Sequence, residues 1–188
     1  MPDITFVTGN DEKFHIASLV FAEHNINLQQ ARIDIDEIQG EDAERIVRDK
    51  LQKAYAALQK PVVVNDDSWA FMGLGGFPGP YMKSINHWFT PEDFLRLTLP
   101  LEDRRVVLTQ WIGYQDADTQ KLFKLEHSGE ILKELRGNHG SGLQQIITMP
   151  GDNGLSVSEQ YDRGADMSGR EVTIGWRQCI DWYKREKS

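Results

Sequence analysis

Apolar and polar positions along the first third of the chain predict strands and helices in alternation. The predicted elements are, in order, a strand over residues 4–7, a helix over 13–24, a strand over 27–33, an amphipathic helix over 41–60 and a strand over 62–65. The last of these strands is an uninterrupted run of valines, which is typical of a strand buried on both faces. This order predicts an α/β fold.

The second half of the chain has a different pattern. Thr90-Pro91 predicts a helix N-terminus, because Thr is a good N-cap and Pro fits the first turn. Two strands are expected over 105–114 and 121–127, joined by a turn at 116–118, and residues 136–166 are rich in loop-forming residues. A final helix is expected from Ser168, which begins a capping-box pattern. We expect residues 1–188 to form one domain, with an antiparallel lobe packed on the α/β body.

Composition and charge exclude several classes of protein. The chain has 188 residues and a formal net charge of −8 without a basic run, which argues against nucleic-acid binding as the main activity. It contains no stretch of roughly 20 apolar residues and no secretory signal pattern, so we expect a soluble, cytoplasmic protein without membrane contact. The single cysteine, Cys179, lies in an apolar helical pattern that predicts a buried, unreactive thiol.

An adjacent pair of carboxylates, Asp66 and Asp67, follows the valine run. Ligands of α/β sheets bind at the carboxyl ends of the strands. Two acids at such a place are costly to desolvate unless a cation neutralises them, and a divalent metal ion is the usual solution. The alternative interpretation is that the two acids only cap the next turn.

The segment from Thr8 to Lys13 joins the first predicted strand to the first predicted helix. Backbone N–H groups at a helix N-terminus, a small Gly9 and the side chains of Thr8, Asn10 and Lys13 can together hold a phosphate. The alternative is an ordinary capped turn between strand and helix.

Two residues of the long predicted helix are further candidates. Glu41 is either a metal ligand near the sheet edge or a first-turn acid favoured by the helix dipole. Lys50, about three turns into that helix, is either a phosphate contact or a solvated surface residue.

Together these segments resemble the inosine triphosphate pyrophosphatase family. The resemblance is carried by Phe6-Val7-Thr8-Gly9-Asn10 with Lys13, Gln39-Gly40-Glu41, Val64-Asn65-Asp66, the run from Leu74 to Tyr81 with Lys83, and His127-Ser128-Gly129. It implies an elongated, two-lobed α/β fold with a nucleotide cleft between the lobes, assembled as a homodimer. It also implies Mg²⁺-dependent hydrolysis of a nucleoside triphosphate to the monophosphate and pyrophosphate.

The resemblance also implies roles for individual residues. Thr8, Asn10 and Lys13 would hold the triphosphate, Glu41 and Asp66 would bind Mg²⁺, and Asp66 would orient or activate the attacking water, with Lys50 and Arg170 as further contacts. The spacing from Asp66 to Leu74 favours Asp66 over Asp67 as the catalytic acid. A surface position is the alternative for Arg170.

The chain departs from the family where the purine base would be recognised. Gly140-Ser141-Gly142-Leu143-Gln144-Gln145 stands where the family has two aromatic residues and Asp-Pro, and Ser168-Gly169-Arg170 stands where it has Ser-His-Arg. We therefore expect a pyrophosphatase acting on a nucleoside triphosphate, of a non-standard kind, with an altered base preference. The alternatives are a nucleotide-binding protein without catalytic activity and a hydrolase of another phosphorylated metabolite.

Overall fold

The computed structural model of the chain describes residues 3–165 and 171–187. Within these residues the chain forms β1 (Asp3–Val7), α1 (Asp11–Glu23), β2 (Asn27–Ala31), α2 (Ala43–Leu58), β3 (Val62–Phe71), β4 (Pro78–Gly79), α3 (Met82–Trp88), α4 (Pro91–Thr98), β5 (Arg105–Gln115), β6 (Gln120–Ile131), β7 (Ile147–Thr148), α5 (Val157–Asp162) and α6 (Ile174–Lys187). Short 3-10 helices lie at Met72–Leu74, Gly142–Gln145 and Glu171–Thr173.

The strands form a mixed sheet in the order β2-β1-β3-β5-β6-β7, with β4 paired to β3. β1 runs parallel to both neighbours, with Val7 opposite Ala31 of β2 and Phe6 opposite Val63 of β3. β4 and β7 pair antiparallel to β3 and β6. Helices α1 and α2 connect the parallel strands, so the predicted mixed α/β fold is confirmed.

The described residues divide into two compact units. The first contains residues 3–66, 110–125 and 171–187. In it, Val63 packs with α1 and α6 in one apolar cluster, whereas Val62 and Val64 pack with α2 in another. Successive side chains of a strand point to opposite faces, so the valine run is buried on both faces of the sheet, as its sequence predicts.

The second unit contains residues 67–109 and 126–165. Its core brings together Phe71, Phe94, Ile131 and Leu143 with other apolar residues from its strands and short helices. Helix α4 begins as predicted: Thr90 is the N-cap, and its side chain and that of Asp93 form a reciprocal capping box.

The carboxylate pair does not follow the end of a strand, as the sequence analysis expected, because β3 continues through it to Phe71. Beyond the acids, Trp69 and Ala70 pair with Gly79 and Pro78 of β4. The backbone therefore keeps hydrogen-bonding partners after Asp66, and the strand does not stop. The alternative that the two acids cap a turn is also wrong.

The other predicted boundaries lie within a few residues of the observed ones. α2 begins at Ala43, because the side chain of Asp42 accepts a hydrogen bond from the N–H of Arg45 and caps the helix. The predicted capping box at Ser168 lies outside the described residues. Cys179 is buried as predicted, and burial raises the pKa of its thiol to about 12. None of the described helices is long and apolar enough to cross a membrane.

Candidate functional site

The loop between β1 and α1 is organised by its own side chains. Asn10 is the N-cap of α1, and its Oδ1 accepts a hydrogen bond of 3.0 Å from the N–H of Lys13. The N–H of Asn10 in turn donates to Oγ1 of Thr8 at 3.1 Å. The capped-turn interpretation is therefore correct for the geometry. It does not exclude a phosphate, because an N-cap side chain satisfies only some of the N–H groups at a helix N-terminus.

Strand β2 supports this loop from the side. The N–H of Thr8 donates to the carbonyl of Ala31 at 3.0 Å, and Nε2 of Gln30 donates to the carbonyl of Thr8 at 3.2 Å. Hydrogen bonds from Gln30 and Arg32 lower the pKa of Asp11, the first residue of α1. These contacts support the observed conformation of the loop.

Gly9 has no packing reason to be a glycine. Its backbone does not lie in the left-handed region, and none of the described atoms lies within 4 Å of the position that a Cβ would take. A larger side chain would project into the open space beside the loop. A ligand that approaches the backbone closely would occupy that space, as in glycine-containing phosphate loops.

The parallel register places Asp66 at the same sheet edge as this loop. Phe6 lies opposite Val63, so Thr8 continues the register level with Asn65, one residue before Asp66. The Asp66 side chain is partly exposed, whereas Asn65 is buried and its Nδ2 donates to the carbonyl of Trp111 at 3.0 Å. The β1–α1 loop and the predicted catalytic acid are thus neighbours within the first unit.

Lys50 connects α2 to this edge. Its Nζ lies 2.7 Å from Oε1 of Glu37 and 3.4 Å from the carbonyl oxygen of Asn65. Only 14% of the Lys50 side chain and 20% of the Glu37 side chain are exposed. Lys50 is therefore not a solvated surface residue, and that alternative is wrong. The structure places this ion pair at the backbone of Asn65, one residue before the predicted acid.

Glu37 was not singled out by the sequence patterns. Ile33 and Ile35 are partly buried and pack against the α2 side of the sheet, whereas Asp34 and Asp36 are exposed. If this alternation continues, the side chain at position 37 faces the same side as Ile33 and Ile35, where an apolar residue would be expected. A glutamate at such a position is the signal that could have identified it, because a buried carboxylate needs a partner.

Glu41 lies before helix α2, whereas the sequence analysis placed it in the first turn of the helix. It is exposed and precedes the N-cap Asp42, so the alternative role of a first-turn acid is wrong; Glu44 has that position. No group of three or more His, Cys, Asp or Glu side chains suited to a metal ion occurs among residues 3–165 and 171–187. A metal ion held here by the described residues would therefore rest on one or two carboxylates, with other ligands from substrate or water.

The segment expected to recognise the base lies in the second unit. Leu143 is buried in that unit's core, and Oε1 of Gln144 accepts a hydrogen bond of 2.7 Å from the N–H of Ser141. Gly140 has a φ of +81°, and a Cβ there would overlap Gln144. The imidazole of His139, just before this segment, stacks on Tyr161 with ring centroids 5.6 Å apart. These side chains serve the local fold.

Arg170, predicted as a substrate contact, lies outside the described residues, and its role stays a prediction.

Comparisons with known proteins identify relatives of this chain. The chain is 28% identical over 182 residues to the dITP/XTP pyrophosphatase of Methanopyrus kandleri, covering 96% of each chain. It is 29% identical over 160 residues to inosine triphosphate pyrophosphatase 2 of Trypanosoma cruzi, covering 85% of this chain and 81% of that one. The solved Ham1 protein of Staphylococcus aureus shares the fold, with a TM-score of 0.75 at 21% identity over 98% of this chain and all of that chain.

A sequence model of the Ham1 family matches residues 4–170, which is most of the chain. The resemblance to inosine triphosphate pyrophosphatases is confirmed, and the chain belongs to the Ham1 family.

Proposed function

We propose that this protein is a Mg²⁺-dependent pyrophosphatase that hydrolyses a nucleoside triphosphate to the monophosphate and pyrophosphate. One observation carries the proposal: the capped β1–α1 loop and Asp66 lie on adjacent parallel strands, with the ammonium of Lys50 against the backbone before Asp66. The relatives named as dITP/XTP and inosine triphosphate pyrophosphatases support the same activity for this chain.

The β1–α1 loop is proposed to hold the triphosphate. The remaining N–H groups at the start of α1 and the side chains of Thr8, Asn10 and Lys13 supply donors to phosphate oxygens. Lys50 is held 2.7 Å from Glu37, so its charge is fixed in place before the substrate arrives. Fixed donors stabilise charge that develops in a transition state without a cost of reorganisation.

The carboxylates at this edge suit Mg²⁺. Magnesium prefers oxygen ligands and is usually held by one or two carboxylates together with substrate phosphates and water. We propose Asp66 and Glu37 as the protein ligands, because Glu37 is the carboxylate that the structure brings to Lys50. Glu41 stays a candidate from the family resemblance. When bound, the ion neutralises phosphate charge and lowers the pKa of water.

Asp66 is proposed to orient the attacking water and to accept its proton. The oxygen of the water then bonds to phosphorus as the bond to the leaving pyrophosphate breaks. Lys13 and Lys50 offset the negative charge of the leaving group, which is a positioning and electrostatic contribution. Asp66 would suffice as the base for a water whose pKa a bound ion had lowered.

The base preference is proposed to differ from that of inosine and xanthosine triphosphatases. Residues 140–145 contain no aromatic side chain, and Leu143 and Gln144 are used by the second unit itself. Stacking on an aromatic side chain is worth ~1–3 kcal/mol per base in single-strand binding. Without it, we expect weaker binding of the base or a different base.

The family resemblance extends the proposal to assembly and location. We propose a homodimer in the cytoplasm that acts on a free nucleotide and not on nucleic acid. The net charge of −8 supports the last point. Light scattering after size exclusion would report the mass of the assembly, and a monomer at all concentrations would contradict the dimer.

A panel of standard and deaminated nucleoside triphosphates, assayed for pyrophosphate release with Mg²⁺ and with EDTA, tests the function. We expect release for at least one nucleotide, abolished by EDTA and reduced at least ~10²-fold by Asp66→Asn, but retained in the matched control Asp34→Asn. Asp34 is an exposed acid of the same region. Saturable nucleotide binding without release would indicate the non-catalytic alternative. Release of phosphate from non-nucleotide esters alone would indicate the metabolite hydrolase.

A further inference from the structure

A groove lies in the first unit, between helix α6 and the end of β6 that begins at Gln120. The groove has a volume of about 510 Å³, and its lining includes Lys121, Phe123, Trp182 and Arg185. This volume is within the range of known ligand pockets. None of its lining residues belongs to the proposed phosphate site, so the groove needs an explanation of its own.

The floor of the groove is aromatic. The rings of Phe123 and Trp182 meet edge to face, with centroids 5.8 Å apart and an interplanar angle of 62°. Both side chains are partly buried against the core of the first unit, so each is anchored on one side and accessible on the other. A floor of this kind favours an apolar or aromatic group of a ligand.

The rim of the groove is positively charged. Lys121 and Arg185 are exposed, and within the described part of the chain neither side chain forms an ion pair or a hydrogen bond. The Lys121 ammonium lies 6.0 Å from the centroid of the Phe123 ring. By contrast, Arg177 and Lys187 of α6 each form an ion pair with a carboxylate. Asp181 is the one acid in the lining, so the groove is locally basic on a chain of net charge −8. Such a rim is complementary to an acidic ligand.

The strand that forms one wall presents an open edge. Among the described residues, β7 is the strand next to β6 on its outer side, and it pairs only at Glu130 and Ile131. Phe123 packs on the α6 side of the sheet, whereas Leu122 packs on the α2 side. Lys124 is on the same side as Leu122, with its ammonium 5.8 Å from the Trp111 ring centroid. Leu122, Phe123 and Lys124 all line the groove, so residues from both faces of β6 border it. The backbone edge of β6 therefore faces the groove, and such edges accept an added strand.

We propose that this groove binds an extended acidic segment of a partner protein. The segment pairs with the edge of β6, places an apolar side chain over Phe123 and Trp182, and directs its acidic side chains to Lys121 and Arg185. A second copy of this chain fits the charges poorly, because antiparallel pairing of β6 with itself would bring lysines together. Nucleic acid is disfavoured by the overall negative charge.

Fluorescence anisotropy with a labelled peptide tests the proposal. The probe is the acetylated peptide Thr-Glu-Thr-Phe-Thr-Glu-Thr, in which strand alternation places Glu, Phe and Glu on one face. We expect saturable binding to the full chain, weakened roughly tenfold or more by the double reversal Lys121→Glu with Arg185→Glu. N-methylation of alternate amides of the probe should remove binding, because it removes donors to the β6 edge.

The matched control is the double reversal Lys60→Glu with Lys133→Glu, which makes the same change of charge at exposed positions elsewhere. We expect it to bind within about twofold of the wild type, and both double variants to keep the wild-type pyrophosphate release and circular dichroism. No saturable binding by the wild type would overturn the proposal, as would equal weakening by both variants. Tighter binding of a single-stranded oligonucleotide, or self-association that Lys121→Glu with Arg185→Glu abolishes, would overturn it as well.

Discussion

The loop at Thr8–Lys13 and the segment at residues 140–145 are both glycine-containing turns before a helical element, but they use their side chains differently. In the first, the cap hydrogen bonds organise the loop, and the space beside Gly9 stays open. In the second, Leu143 enters the core, and Gln144 fills the space beside Gly140. The first turn is therefore available to a ligand, whereas the second is largely occupied by its own fold.

The largest expected effect on activity is that of replacing Asp66, the acid beside the first of these two turns. Asp66→Asn keeps the shape of the side chain but removes its ability to accept a proton. We expect kcat for pyrophosphate release to fall by ~10²–10⁴-fold with little change in thermal stability. Asp34→Asn is the control, and equal activity of the two variants would show that the base is elsewhere.

The next largest effect is expected on stability, at Leu143. Leu143→Ala removes a side chain that is 1% exposed in the core of the second unit. Denaturant unfolding should show a loss of ~2–5 kcal/mol in the free energy of unfolding, while the folded fraction keeps its activity on the preferred nucleotide. A loss of activity without a loss of stability would mean that Leu143 contacts the substrate, and the contrast between the two turns would fail.

A smaller effect distinguishes the two candidate metal ligands. Glu37→Gln removes the carboxylate that pairs with Lys50, whereas Glu41→Gln changes an exposed residue before α2. We expect Glu37→Gln to raise the Mg²⁺ concentration needed for half-maximal activity by ~10–100-fold, and Glu41→Gln by far less. Mg²⁺ titrations of both variants decide the point. The opposite order would restore Glu41 as the ligand that the family resemblance suggests.

The smallest effect concerns Cys179. Its pKa is raised to about 12 from the ordinary value of 9.0, because the thiol is buried. We expect a thiol reagent at pH 8 to label the unfolded chain but not the folded one. Because the unfolded thiol ionises near pH 9 and the folded one does not, its contribution to stability is full below pH 9 and decreases as the pH rises towards 12. Rapid labelling of the native protein would contradict this.

The sequence predicts those parts of the fold and of the site that depend on residues close together along the chain. The Val62–Val64 run and the caps at Asn10 and Thr90 are local patterns, so the starts of the three elements to which they belong were predicted to within a few residues. The continuation of β3 past Asp67 was not, because it depends on β4, which pairs from a position about ten residues later. The ion pair between Glu37 and Lys50 was missed for the same reason: it joins an extended segment to a helix.

Product analysis tests the central claim most directly. The purified protein is incubated with Mg²⁺ and the preferred nucleoside triphosphate, and the products are quantified by phosphorus NMR. We predict equal amounts of nucleoside monophosphate and pyrophosphate, without diphosphate or free phosphate, and at least ~10²-fold less of both products from Asp66→Asn in the same time. Formation of nucleoside diphosphate and phosphate would contradict the proposed reaction, as would unchanged activity of the Asp66→Asn variant.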